Sequence, residues 1–228
     1  MTEFNLAEID RLLSTTKSVR RRLDLTRSVP RQVVVEAIRL GCFAPNASNA
    51  QEWRWVVVDD AEQRRLVGEQ YAKVTIPSVT QMLESKLSHG DEVGARISRS
   101  IIYLAEHMAE VPVIVFPCYD VEAADLRYQT LITDPALRAT PSGMNSGMYA
   151  SIYPAVWSFQ LALRSRGLGS VFTSAHQRDQ PAMAEILGIP GSWDQTCMIP
   201  VAYTTGGEFR PSPRDDVNDH IFWNRYES

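Results

Sequence analysis

The chain has little of what most catalytic chemistries demand of a protein. Its 228 residues include three cysteines, Cys42, Cys118 and Cys197, an odd number at wide spacing. With no Cys-x-x-Cys and no Cys/His pair, neither a disulfide framework nor a zinc site is expected. The four histidines, His89, His107, His176 and His220, also lack ligand spacing and read as surface or structural groups, so no metal is expected. No nucleophilic triad and no pair of carboxylates stands out. The apolar runs are too short to cross a bilayer. Residues 1–10 have no basic flank followed by an apolar stretch, so they do not read as a signal peptide. Positive charge is not in excess either: 23 Lys and Arg stand against 27 Asp and Glu, for a net charge of −4. Nucleic acid and anionic membrane are therefore not expected partners. A cytoplasmic protein is the expectation.

Hydrophobic residues make up 44% of the chain, enough for the core of one domain over residues 1–228. Leu6, Ile9, Leu12 and Leu13 share a helical face within 5–16, and Val33, Val34, Ala37 and Ile38 do so in a helix opened at Ser28 or Val29. Residues 53–58 read as a strand, and Asp59-Asp60 caps a helix over 61–73. Residues 74–110 read as helical beyond Pro77, with a break near Gly90. The run 111–118 is apolar on both faces, as in a central strand, with Pro112 near its start. Residues 120–150 carry turn signals at Asp134-Pro135 and Thr140-Pro141 and read as an irregular lid. A helix follows from about Ser151 with Pro154 in its first turn, then strands at 171–173 and 198–203 around a short helix at 179–187. Pro200 marks an edge or irregular position in the last strand. Composition and periodicity give a mixed helix-and-sheet domain and no more.

Four stretches invite a functional reading. Lys17-Ser18-Val19-Arg20-Arg21-Arg22 is the most basic run, and such a cluster lies in solvent or meets an anion. Residues 44–53, Ala-Pro-Asn-Ala-Ser-Asn-Ala-Gln-Glu-Trp, join helix to strand through amide and hydroxyl groups. That chemistry suits the edge of a polar heterocycle, although Asn and Ser also satisfy their own backbone in ordinary turns. Gly167-Leu168-Gly169-Ser170 leads to Thr173-Ser174, and a helix C-terminus alone explains Gly167. The tail, 209–228, gathers Arg210, Arg214, Phe222, Trp223 and Tyr226.

In this order and at these intervals, the four stretches resemble the nitroreductase family of FMN-dependent oxidoreductases across nearly the whole chain. The resemblance implies an α+β, three-layer fold: a central, mostly antiparallel sheet flanked by helices, in an intertwined homodimer with flavin at the interface. It implies that Ser18 and arginines among Arg20, Arg21 and Arg22 hold the FMN phosphate. Thr16-Lys17 stands where the family often has two arginines, and the following Leu23-Asp24 fits only with an inserted residue, so the choice among the three stays open. The resemblance also places Asn46, Ser48, Asn49 and Gln51 at the flavin ring, Thr173 and Ser174 near its N5, and Arg214 at the phosphate, with Arg210 in reserve. Residues 120–150 become the lid over the flavin, with Tyr128, Met144, Met148, Tyr149 and Ser151 as substrate-facing groups, and 209–228 an extension on the partner subunit.

Because the cofactor carries the redox chemistry, the lack of catalytic acids and nucleophiles is what such an enzyme would show. The implied reaction is ping-pong hydride transfer from NADPH or NADH through FMN to a small electron-poor acceptor such as a nitroaromatic or a quinone. Other outcomes on this fold are reductive dehalogenation, ring oxidation, use of a deazaflavin, or flavin sensing or storage without turnover.

Overall fold

A computed structural model describes residues 4–226. Strand β2 (Val113–Asp120) organises it, and its alternation divides the core in two. On one side Ile114, Phe116 and Cys118 pack on Val67 and Tyr71 of α3 (Ala61–Ser88), Leu104 of α4 (Glu92–Glu106) and Met183 of α7 (Gln180–Leu187). On the other, Val113, Val115 and Tyr119 meet Val34 and Ala37 of α2 (Arg31–Gly41) and Ile152 and Phe159 of α6 (Pro141–Ser165). The result is a three-layer α+β domain. Its five strands are all antiparallel, in the order β1 (Trp53–Val58), β2, β5 (Ile199–Tyr203) and β3 (Leu168–Ser170), with β4 (Trp193–Gln195) beside the end of β2. Helices α1 (Leu6–Thr15) and α5 (Val121–Leu131) complete the set. The strands expected at 53–58, 111–118 and 198–203 are present as β1, β2 and β5. Residues 1–3 and 227–228 of the expected domain lie outside the described residues.

Several boundaries differ from expectation, and proline is behind most of them. The helix expected to open at Ser28 or Val29 is capped by Pro30 and begins at Arg31. Helix α3 does not stop at Lys73 but runs through Pro77 to Ser88. Pro77 withholds one backbone donor, yet burial of Tyr71, Thr75 and Val79 holds the helix together. Residues 120–150 are not irregular: they form α5, a 3-10 turn at Pro135–Leu137 and the first part of α6. Thr140-Pro141, expected as a turn, is a helix start in which the Thr140 hydroxyl accepts from Gly143 N–H at 3.2 Å and proline occupies the first turn. Pro154 consequently lies inside α6, not in its first turn.

Strand β3 lies at 168–170, not 171–173, and Thr173 makes an isolated bridge to Met198. Pro200 is at an irregular position of an interior strand. Met198 exchanges both backbone hydrogen bonds with Thr173, so position 200 faces the same flank, where β3 has already ended at Ser170. Opposite Val171, proline offers no donor, and the pairing is interrupted there between Ser170↔Val201 and Thr173↔Met198.

Candidate functional site

The basic run leaves α1 and is fastened between two strands. Val19 N–H donates to Ser170 O at 2.9 Å, Asp24 N–H to Tyr203 O at 2.8 Å, and Thr205 N–H returns to Arg22 O at 2.9 Å. Residues 22–24 are thereby zipped to 203–205, the segment that begins the C-terminal extension.

A cleft of about 670 Å³ opens between this run, α6 and the extension. Lys17, Ser18 and Arg20 enter it from the run, Arg214 from the extension almost two hundred residues later, and Tyr153 and Trp157 from α6. Phe172 also lines it, edge-on to Tyr153 at 5.6 Å, and Tyr153 stacks on Tyr149 at 5.2 Å. No carboxylate lines the cleft among the described residues. Among the described residues the side chains of Lys17 and Arg20 make no hydrogen bond or ion pair, and Arg214 donates to the adjacent Pro213 O at 2.8 Å. Burial lowers the pKa of Arg20 from its ordinary value, the sign expected of a cation held out of water without a counter-ion. Together Lys17, Arg20 and the exposed Arg214 around an acid-free cleft form a receptor for an anion of high charge. A larger groove of about 1210 Å³ between α5, α7 and β4 has Glu122, Asp125, Glu185 and Asp194 on its walls. That is the wrong sign for phosphate.

The other two arginines of the run do not line the cleft. Arg21 is exposed, with its guanidinium 5.3 Å from the Tyr103 ring. Arg22 donates from Nε to Thr205 O at 2.7 Å and from Nη2 to Gly207 O, and lies 3.9 Å over the Phe209 ring. Arg210 does not line the cleft either.

Thr173 is already committed. Its N–H and C=O pair with Met198, and its hydroxyl lies 2.8 Å from the buried Tyr71 hydroxyl. The next residue differs: the N–H and hydroxyl of Ser174 donate no hydrogen bond among the described residues. Ser174, two residues past Phe172, keeps the segment's spare donors.

The loop at 46–51 is held against its own backbone preferences. Ser48, Asn49 and Gln51 have φ of 54°, 52° and 57°, a region that costs a residue with a Cβ about 1 kcal/mol or more. Gln51 N–H donates to Asn46 Oδ1 at 3.0 Å, and Gln51 Nε2 to Asn49 O at 3.3 Å. Ser151, expected in the lid, braces the loop: its Oγ accepts from Ala47 N–H at 3.1 Å and donates to Gly147 O at 2.8 Å. Ser48 lines a second, smaller pocket of about 210 Å³ with Tyr128, Met144 and Met148. Tyr149 is not on its wall. The Tyr128 hydroxyl accepts from Ala139 N–H at 2.7 Å and so ties α5 to the approach to α6.

One group at this pocket escaped the sequence reading. Glu52, only 7% exposed, accepts from the Tyr119 hydroxyl at 2.6 Å and takes both arms of Arg127, at 2.5 and 3.1 Å. Burial, and then the Glu52 carboxylate, push the Tyr119 phenol well above its usual pKa. The available signal was a lone acid between Gln51 and Trp53 at the mouth of an apolar strand. The pair anchors α5, hence the pocket wall, to the start of β1.

The loop pocket and the cationic cleft use different faces of α6. Gly147 and Ser151 face the loop; Tyr153, Val156, Trp157 and Gln160 face the cleft. Two residues of helix turn a side chain through about 200°, so one chain does not close both clusters on a common ligand.

The model of the nitroreductase family matches residues 13–203. A comparison with curated protein sequences returned no match. Among solved structures, the chain is similar to an iodotyrosine deiodinase bound to FMN and 3-iodo-L-tyrosine, with a TM-score of 0.68 and 19% identity over 94% of this chain and 98% of that one. A nitroreductase-like protein from Streptococcus mutans gives 0.68 and 19% over 96% and 99%. A putative NAD(P)H:FMN oxidoreductase from Staphylococcus epidermidis gives 0.65 and 16%, over 98% of each chain. Among the described residues no helix is long and apolar enough to cross a membrane, and no cluster of metal-ligating side chains occurs.

Proposed function

The chain belongs to the nitroreductase family of flavin oxidoreductases, and from that premise we propose that it is an FMN enzyme passing electrons from NADPH or NADH to a small electron-poor acceptor. The observation that carries this reading is the convergence of Lys17, Ser18, Arg20 and Arg214 on one carboxylate-free cleft with aromatic walls. FMN, when bound, supplies the hydride chemistry at its N5 atom.

In this reading Arg20 and Arg214 grip the phosphate by charge-assisted hydrogen bonds, with Lys17 adding charge and Ser18 a hydroxyl donor. Tyr153, Trp157 and Phe172 exclude water from the cleft. The free N–H of Ser174 donates to the ring near N5, where negative charge grows on reduction. Asn46, Ser48, Asn49 and Gln51 serve the ring from the loop, and the small pocket behind Ser48 receives the acceptor. Its 210 Å³ suits one or two fused rings, such as a nitroarene or a quinone.

The two clusters meet when a second copy lays its loop over the cleft of the first, so the working unit is a homodimer. Apolar groups left in solvent by the single chain support this: Leu6 is 70% exposed, Phe43 76% and Trp223 84%. In the dimer the aromatics of 209–228 lie on the partner subunit.

The test is the visible spectrum of the purified protein during anaerobic titration with NADPH and then NADH. A yellow protein that bleaches, and recovers its colour with a quinone or nitroarene, is expected. Bound FMN that ignores both nucleotides would remove the donor assignment. A colourless protein that cannot be reconstituted with FMN would overturn the reading.

A further inference from the structure

We infer that Arg22 is a positioning residue, a latch that sets the C-terminal extension so that Arg214 reaches the cleft opposite Arg20. The inference rests on the phosphate reading of the cleft. Arg22 spends its donors on main-chain carbonyls of the extension, Thr205 O and Gly207 O, and its flat face on Phe209. Arg164, from the end of α6, lies 4.7 Å from the same ring, so Phe209 is held between two guanidinium groups. The ring face attracts each cation, and it lies between charges that repel, since burial and then Arg11 and Arg22 lower the pKa of Arg164. From this clamp to Arg214 is only five residues, a reach of about 17 Å at full extension. The latch therefore fixes where Arg214 can go.

The arginine run thus has divided labour. Arg20 points into the cleft, whereas Arg22 secures the segment that delivers the second cation to it. The zipper between residues 22–24 and 203–205 puts both arms in one frame. Lysine cannot replace Arg22: an ammonium lacks the planar fork that bonds two carbonyls while lying flat on a ring.

A double-mutant cycle on FMN affinity decides the matter, with riboflavin, which lacks the phosphate, as the second ligand. Arg22→Ala and Arg22→Lys are each expected to weaken FMN about tenfold or more in the wild-type background. In an Arg214→Ala background they should add little, and riboflavin affinity should not move. Additive losses would show that Arg22 acts on the phosphate directly, and a lysine variant equal to wild type would reduce its role to charge; either overturns the inference. Failure of the wild-type protein to bind FMN would instead sink the functional reading. The latch is then judged on the cofactor-free protein by chymotrypsin cleavage after Phe209. Arg22→Ala should speed that cleavage several-fold at unchanged protease resistance elsewhere, and an unchanged rate overturns the latch.

Discussion

Gly169 lies directly beneath Val19, and that closeness explains the second of the two glycines that frame Leu168. A Cβ placed on Gly169 would stand 3.1 Å from Val19 Cβ and 2.6 Å from Thr204 Cγ2. Gly167 answers a different need, a φ of +78° at the end of α6. The second glycine lets the basic run cross β3 closely enough for Val19 N–H to reach Ser170 O. Gly169→Ala is therefore expected to cost about 1–3 kcal/mol through overpacking and to weaken FMN binding as the run is lifted. Chemical denaturation and flavin titration measure both effects; unchanged values would show that the run is free to shift.

Arg20 and Arg214 should be separable from their neighbour Arg21. Replacing either of the first two by alanine removes a charge-assisted contact worth about 1.5–3 kcal/mol, so FMN affinity should fall roughly 10- to 150-fold. Arg21→Ala, which loses an exposed stacking contact on Tyr103, should leave it within about twofold. Equal losses at all three positions would show a diffuse field in place of a formed site.

Glu52 carries the opposite kind of risk, because its two partners stay behind when it is changed. Glu52→Gln leaves Arg127 half-paired in a partly buried place, at an expected cost of about 3 kcal/mol, the low end for a broken buried pair since Arg127 is 28% exposed. The damage should be local to α5. Hydrogen exchange faster in 121–131 than in α3 is the expected signature, and a uniform increase would mean that the pair supports the fold as a whole.

What the sequence made legible follows from which forces act locally. The central strand was readable because the run 111–118 is apolar on both faces, and side-chain direction in a strand needs no knowledge of the partner; Ile114, Phe116 and Cys118 indeed face one core and Val113 and Val115 the other. The start of α6 was not: Thr140-Pro141 is equally good chemistry for a turn and for a helix start, and only the packing beyond decides. Pro77 and Pro154 misled for the same reason, since burial of a helix face outweighs one missing hydrogen bond. At the site, the resemblance named the arginine run but not its division of labour. Arg20, Arg21 and Arg22 are identical in sequence terms, and their roles depend on Tyr103, Thr205, Gly207 and Phe209, far along the chain.

His176 makes a prediction about acid. It is 1% exposed and edge-on to Phe116 at 5.6 Å, and its ring nitrogens form no well-aligned hydrogen bond among the described residues, the Gln195 backbone being the one polar group near enough to offset part of the burial. Burial lowers its pKa from 6.5 to about 4. The unfolded chain therefore takes up this proton before the folded one does. Stability is intact above about pH 6.5, falls as pH drops from 6.5 towards 4, and levels off below that, by about 3 kcal/mol in all. In His176→Leu this part of the slope should vanish, as read from denaturation midpoints between pH 4 and 7. A slope that survives the substitution would assign the acid sensitivity to other groups.

The small pocket behind Ser48 makes the last prediction, one that separates the two half-reactions. Met148 and Met144 are unbranched and pliant, the kind of wall that admits planar ligands of differing outline. Met148→Trp should fill much of the 210 Å³ without touching the cationic cleft on the other face of α6. FMN affinity and the rate of flavin reduction by nicotinamide are then expected to stay near wild type, while KM for a bicyclic quinone rises about tenfold or more. Stopped-flow absorbance measures the two steps independently. If reduction by nicotinamide slows as much as reoxidation by the quinone, donor and acceptor share this pocket; if neither step changes, the acceptor binds elsewhere and Met148 is only part of the wall of α6.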